Sequence, residues 1–292
     1  MGLFGRSRIT AGLDIGSGFV KLVVVDHSKG DPEITKIATS PLVPDAIVEG
    51  EVMDPVLVAE TIRSVVDSAG LKIKEVVAAV GGHDVIIKKI EMDRMKEGDA
   101  REVIRWEAEQ HVPFDMDSVS LDFEVLDPDA DGLQMEVLLV AAKRDLIEAR
   151  TRMLDEAGFG VSVIDLDAFA VETAFQHGYE HAGYGSFCLV NVGREVTNLN
   201  LIENGRPLLT RDLPVGERRF VEALVRDSGL PSEEAEARLR SRELNEQERA
   251  SLEEAIMSIV TPVERARSFM ATSDGGGARL DEVLLSGGGA GL

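Results

Sequence analysis

Three things are scarce in this chain: cysteine, aromatic side chains and positive charge. The 292 residues contain one cysteine, Cys188, so no disulfide can close within the chain, and a reducing compartment suits it. Aromatic residues make up only 4%. The 31 Lys and Arg against 53 Asp and Glu leave a formal charge of −22. That charge argues against a general nucleic-acid role, because a phosphate backbone needs a basic face. It also disfavours direct docking on an anionic membrane surface. No apolar run approaches the length of a membrane span, and the first residues lack the apolar core of a leader. Gly2 raises myristoylation, but Arg6 stands where that signal wants Ser or Thr. The expected location is cytoplasmic, with any membrane attachment supplied by a partner. A hydrophobic content of 44% suffices for real cores, and the length suits two domains, or one large domain with insertions.

The chain is organised around Ile9 to Val25. An apolar run ends in Asp14, a Gly16-Ser17-Gly18 corner follows, and a second apolar run carries Lys21. This pattern predicts two strands joined by a tight turn. Glycines let backbone N–H groups approach phosphate oxygens, while Ser17 and Lys21 add a hydroxyl and a cation. Asp14 repels phosphate but can hold a magnesium ion through waters. From this stretch alone, a plain hairpin with a polar turn explains the pattern as well.

Further on, Glu33 to Ala38 reads as a third strand and Ser40 to Pro44 as an extended passage. Asp54-Pro55 starts a helix whose apolar positions Val58, Ile62, Val65 and Val66 have helical spacing, and Gly70 stops it. Glu75 to Val80 reads as a buried strand. From Val85 a strand, a helix from Gly98 to His111, paired strands at Leu121–Leu126 and Met135–Ala142, and a helix from Lys143 to Ala157 form a small inserted α+β unit. The acidic turn from Asp127 to Gly132, including Asp129 and Ala130, lacks the terminal glutamate of a calcium loop and reads as a solvated turn.

Val161 to Leu166 is expected to be a buried strand leading into a helix from Ala168 to Gln176. Gly185 to Val192 is the next strand, and it meets a second corner, Asn191 to Thr197. Asn198 to Ile202 alternates polar and apolar residues, as a half-buried strand does, and Glu203 to Arg206 is a hairpin turn before Leu208 to Asp212. Strand, glycine corner, strand, turn, strand thus occurs twice. Residues 216–267 read as helical, with Ser232 as an N-cap and mostly solvated charges. Leu280 to Leu285 is a last buried strand, closing in Ser286-Gly287-Gly288-Gly289. A glycine corner after a buried strand should open a covering helix, so the chain is expected to be a fragment of a longer one. Three glycine corners after strands, two of them in repeated halves, can clamp nucleotide phosphates and receive adenosine.

At these corners the sequence resembles the actin-like ATPases, which include actin, heat-shock chaperones, sugar kinases and FtsA. Asp14 to Lys21 is similar to phosphate motif one, Asn191 to Asn198 to phosphate motif two, and Leu285 to Ala290 to the adenosine motif. Ile164 to Ala170 resembles the connecting helix. Within that group the chain resembles the PilM family, the cytoplasmic actin-like component of type IV pilus assembly. The likeness is carried by Ile104 to Phe114, Leu138 to Lys143, Thr197 to Asn200 and Val263 to Phe269.

The resemblance implies an α/β, ribonuclease-H-like two-lobed ATPase fold with an inserted subdomain as in FtsA. Its expected bounds are 1–83 and 161–183 for subdomain IA, 84–160 for the insertion, 184–215 and 268–292 for IIA, and 216–267 for IIB. It implies ATP and magnesium as cofactors. The ligand set is Asp14, Gly16, Ser17, Gly18, Lys21, Asn191, Gly193, Thr197, Asn198, Gly287, Gly288 and Gly289, with Asp14 on the metal. It further implies a PilN-like membrane protein as partner, bound through its cytoplasmic N-terminal peptide beside the insertion, with homo-oligomers an open option. Asn191 departs from the family's usual aspartate, which weakens metal coordination and hydrolysis, and Gly216-Glu217 departs from the usual glycine pair. Asp167 falls where relatives place a water-orienting glutamate, or it caps the helix at Ala168. Arg194 and Glu195 read as a phosphate contact or a solvated turn, with the solvated turn preferred. Glu236 reads as a ribose contact or a surface charge. The favoured function is an ATP-holding scaffold. An actively hydrolysing ATPase and an FtsA-like division protein are the alternatives.

Overall fold

The computed structural model describes residues 9–48, 50–70, 72–128, 131–180, 183–273 and 279–292. Gly2 and Arg6, and Asp129 and Ala130 of the acidic turn, lie outside the described residues. In chain order the strands and helices are β1 (Ile9–Ile15), β2 (Phe19–Asp26), β3 (Glu33–Pro41), the short β4 (Ile47–Val48) and β5 (Glu51–Val52), α1 (Pro55–Ser68), β6 (Glu75–Val80) and β7 (Val85–Asp93). Then follow α2 (Glu97–Glu109), β8 (Val119–Val125), β9 (Gln134–Lys143), α3 (Arg144–Glu156), β10 (Gly160–Leu166) and α4 (Asp167–Gly178). The remainder is β11 (Ser186–Val192), β12 (Thr197–Glu203), β13 (Arg206–Leu213), α5 (Glu217–Ser228), α6 (Ser232–Ser241), α7 (Glu246–Ser273) and β14 (Glu282–Ser286).

Two compact units result. The first takes the described residues up to Val85, with Phe114–Ser120 and Ala142–Asp167; the second takes Ile86–Pro113, Leu121–Ala141 and Ala168–Leu292. The first unit holds a five-stranded sheet in the order β10-β6-β1-β2-β3. Here β1, β2 and β3 are antiparallel, while β6 and β10 run parallel to β1. Alternation along the hairpin buries Leu13, Val20, Leu22 and Val24 in one core with Val58, Ile62, Val65 and Val66 of α1 and Met153 and Leu154 of α3. Helix α1 starts as expected, since the Asp54 carboxylate accepts the Leu57 N–H at 3.0 Å. Strand β10 does not match the buried strand expected there. It pairs only with β6 at the sheet edge, and Val163 is half exposed.

The second unit repeats the plan in a four-stranded sheet ordered β13-β12-β11-β14, with β11, β12 and β13 antiparallel and β14 parallel to β11. A parallel neighbour on the outer side of a three-strand meander is therefore present in both sheets. The Asn204-Gly205 turn has φ of 50° and 74°, the geometry that matches strand twist in a two-residue hairpin. Two strand expectations are corrected here. Strand β12 is buried on both faces rather than half-buried, because it is an inner strand; Asn200 is buried and donates to the Ala168 carbonyl at 2.7 Å. Strand β14 is an edge strand with Val283 and Leu285 largely exposed, not a buried one. The three-stranded sheet β7-β9-β8 lies mainly in the same unit, with β8 beside β9 as their pairing predicted.

The helical stretch is also less solvated than its composition implied. Ser232 is the first residue of α6 and Pro231 precedes it as cap, so the expected serine cap bond is not made. At α7 a reciprocal cap forms instead. The Asn245 side chain accepts the Glu248 N–H at 2.9 Å and Glu248 accepts the Asn245 N–H at 2.9 Å. Glu248 is buried and ion-paired with Arg238 at 2.7 Å. Among the described residues no helix is long and apolar enough to cross a membrane.

Candidate functional site

The two glycine corners correspond position for position. In the first, the Gly16 N–H donates to the Phe19 carbonyl at 3.1 Å; in the second, the Gly193 N–H donates to the Val196 carbonyl at 2.9 Å. Asp14 faces Lys21 across the first hairpin, and Asn191 faces Asn198 across the second. The same backbone therefore carries a charged pair in one unit and an amide pair in the other.

In the first corner Lys21 Nζ lies 2.7 Å from Asp14 Oδ2, both side chains about half exposed. Such a pair contributes at most about 1 kcal/mol, so a competing anion displaces it cheaply. The Gly18 carbonyl accepts the Leu42 N–H at 2.9 Å and ties the corner to the chain beyond β3, and Ser17 sits partly exposed at the tip. Arg150 on α3 was not singled out from the sequence. Burial pushes its guanidinium below the ordinary arginine value, and the carboxylates of Asp167 and Asp14 pull it back. An arginine at this depth stays charged. Asp167 is the first residue of α4. The carboxyl ends of β1 and β10, which are parallel to the intervening β6, thus bring Asp14 and Asp167 to one end of the sheet.

In the second corner the side chains are mutually satisfied. Asn191 Oδ1 accepts the Ser286 hydroxyl at 3.2 Å, Asn191 Nδ2 donates to Asn198 Oδ1 at 2.9 Å, and Asn198 Nδ2 donates to Asp212 at 2.7 Å. Thr197 is buried and its hydroxyl donates to the Val215 carbonyl at 2.7 Å, which anchors the entry to α5. The first N–H groups of α5 are taken up too: Glu217 donates to the Gly193 carbonyl at 2.9 Å and Arg218 to the Arg194 carbonyl at 2.8 Å. A Cβ at Gly216 would stand 2.5 Å from the Gly193 carbonyl oxygen, so the contact exists only because Gly216 is glycine.

The three glycines after β14 have different surroundings. Gly287, at φ +88°, and Gly289 press against Val192, where an added Cβ would come within 2.3 Å and 2.5 Å of its atoms respectively. Gly288 has nothing nearer than Glu217 Oε2 at 4.0 Å, so of these three glycines it is the one with open space beside it. The charges expected to be solvated are paired. Arg194 meets Glu236 at 3.0 Å, Glu236 also meets Arg240 at 3.3 Å, and Glu195 meets Arg218 at 2.9 Å. Ion pairing across α5, α6 and the corner holds these side chains in place, which composition alone does not reveal.

A magnesium ion needs hard oxygen ligands that are not already committed. The Asp14 carboxylate is paired with Lys21, and both ends of the Asn191 amide are in use. Among the described residues no group of three or more His, Cys, Asp or Glu side chains could hold a metal. The expected role of Asp14, holding magnesium through waters, asks for one carboxylate and not for such a group, and here that carboxylate is paired with Lys21.

Two sheets built on one plan, each with a glycine corner after its first strand, define an actin-like ATPase fold, and known structures share it. The structure described as the PilM-PilN type IV pilus biogenesis complex matches with a TM-score of 0.85 at 27% identity, over 98% of this chain and 83% of that one. The ethanolamine utilization protein EutJ of Carboxydothermus hydrogenoformans matches at 0.56 with 17% identity, over 99% and 79% of the two chains. MreB5 of Spiroplasma citri bound to AMPPNP matches at 0.53 with 12% identity, over 99% and 87%. The last two show the fold alone. Residues 12–292 match the family of the type IV pilus assembly protein PilM, and the chain belongs to that family.

Proposed function

We propose that this chain is a cytoplasmic nucleotide-holding scaffold of type IV pilus assembly, which reaches the inner membrane through a PilN-like partner. The observation that carries this reading is the match to the PilM-PilN complex over 98% of the chain. ATP is the proposed nucleotide. In the first unit the Asp14–Lys21 corner is the proposed phosphate contact; in the second, taken by itself, the Gly193 corner offers phosphate contacts and Gly288 open space for an adenosine. The fold shared with AMPPNP-bound MreB5 and the open space at Gly288 support this assignment. Holding is favoured over hydrolysis because Asn191 supplies an amide where a carboxylate would activate chemistry. The partner segment is a short cytoplasmic N-terminal peptide, proposed to dock beside the insertion.

The test is a titration of a labelled N-terminal PilN peptide into the protein with and without ATP, beside calorimetry of ATP with wild type and Lys21→Ala. Saturable peptide binding, and ATP binding weakened roughly tenfold by Lys21→Ala, are expected, since a charge-assisted contact to phosphate is lost. A peptide that never saturates refutes the scaffold role. Equal ATP affinity in both proteins refutes the corner.

A further inference from the structure

We infer that Glu217, the first residue of α5, recognises the sugar of the bound nucleotide, its carboxylate accepting both vicinal hydroxyls of a ribose, so that the site selects ribonucleotides. The inference rests on the nucleotide reading above, and every group it involves belongs to the second unit.

Short contacts set this carboxylate between two glycine turns. The Glu217 N–H donates to the Gly193 carbonyl at 2.9 Å, so α5 starts at the corner offered to phosphate. Glu217 Oε2 also borders the open space at Gly288, 4.0 Å from where a Cβ would stand. The turn Gly288–Gly291 is itself fixed. Gly289 is seated on Val192, and the Gly291 carbonyl accepts a hydrogen bond from the Arg242 guanidinium at 2.7 Å. In any nucleotide the sugar joins phosphate to base. A phosphate at the Gly193 corner and a base at Gly288 therefore put the sugar beside Glu217.

Two carboxylates compete for this role, and their partners tell them apart. Glu236 is committed to two guanidiniums, Arg194 at 3.0 Å and Arg240 at 3.3 Å. The charged partner of Glu217 among the described residues is Arg240 alone, at 3.8 Å, although the Glu217 side chain is only 12% exposed. A carboxylate withdrawn from water with one distant partner keeps acceptor capacity to spare, and leaving it unused is costly. A pair of vicinal hydroxyls supplies the missing donors, through hydrogen bonds strengthened by the charge. The same carboxylate repels phosphate. A nucleotide without the hydroxyls meets that repulsion and gains no hydrogen bonds, so the site discriminates against it twice. Glu236, a candidate ribose contact from the sequence, instead holds Arg194 and Arg240 in place.

Calorimetric titration of ATP and of dideoxy-ATP, which lacks both sugar hydroxyls, into the full chain in one magnesium buffer tests this. Wild type is expected to bind ATP roughly tenfold or more tighter than dideoxy-ATP, the effect of losing charge-assisted hydrogen bonds. Glu217→Ala is expected to bring the two affinities within about threefold, by weakening ATP while dideoxy-ATP binds as in wild type or tighter. A glutamate that only starts α5 would, on removal, weaken both ligands alike and leave the ratio unmoved, which overturns the inference. Glu236→Ala is expected to keep the wild-type ratio; a ratio that collapses there and persists in Glu217→Ala assigns the sugar to Glu236 and overturns it too. If Glu217→Ala does not fold, the wild-type ratio and Glu217→Gln, which keeps the shape without the charge, still decide the matter: the ratio should shrink. Equal binding of both ligands by wild type overturns the inference and leaves the nucleotide reading standing. No binding of ATP overturns both.

Discussion

Gly287→Ala tests whether the last glycine corner is a packed joint. Gly287 has φ +88° and ψ 168°, an extended region essentially confined to glycine, where an L side chain is strained by about 1–3 kcal/mol. Its new Cβ would lie 2.3 Å from the Val192 carbonyl oxygen, 2.7 Å from the Val192 carbonyl carbon and 2.8 Å from Asn191 Oδ1. Two of these are backbone atoms of β11, so relief requires moving a strand end, at about 1–3 kcal/mol. The expected destabilisation is therefore about 2–6 kcal/mol. Two control variants separate the contributions. Gly229→Ala, at φ +68° and ψ 14° with nothing within 4 Å, carries left-handed backbone strain and no clash, about 1–2 kcal/mol. Gly288→Ala meets only Glu217 Oε2 at 4.0 Å and should stay within about 0.5 kcal/mol of wild type. Urea unfolding followed by circular dichroism ranks the three, with slopes compared because two units need not unfold together. If Gly287→Ala matches Gly229→Ala, the corner does not press on β11 and the assembly of the second site is wrong.

Two titratable groups yield further expectations. Burial, aided by the Glu124 carboxylate, pushes Glu172 up to about 7 from an ordinary 4.5. Its stabilising effect is then complete below about pH 4.5, where both states are protonated, and is lost as pH rises to 7, because the unfolded chain ionises first. The total is at most about 3 kcal/mol. Glu172→Gln, which retains an acceptor for Gln176, should flatten the thermal midpoint across that interval; an unchanged slope counts against the burial argument. Cys188 is fully buried, and burial pushes its thiol up to about 11. It should resist a thiol reagent in the native protein and react fully in denaturant; rapid native labelling would show that β11 opens.

The corners were legible because their determinants are local. Period-two burial, the Asn204-Gly205 turn and the Asp54 cap are each set by residues a few positions apart, and those expectations match. Expectations about burial fared worse. Strand β10 reads like β6 in sequence, yet one is an edge and the other is inner. Asn200 reads as solvent-facing, yet it donates to a carbonyl 32 residues earlier. Mixed-charge helices read as solvated, yet Glu248 is buried beneath Arg238.

The amino-acid order by itself determined two copies of a strand–corner–strand unit, the positions of Asp14, Lys21 and Asn191 within them, and a final glycine run. Periodicity, turn chemistry and capping act over a few residues and can be read along the chain. Only the tertiary structure decided which groups answer those residues. It set Ser286 against Asn191 across 95 residues and gave Gly287 and Gly289 their seat on Val192. Strand order and helix packing bring these groups together, and both are long-range choices made by burial and hydrogen-bond satisfaction of the whole sheet.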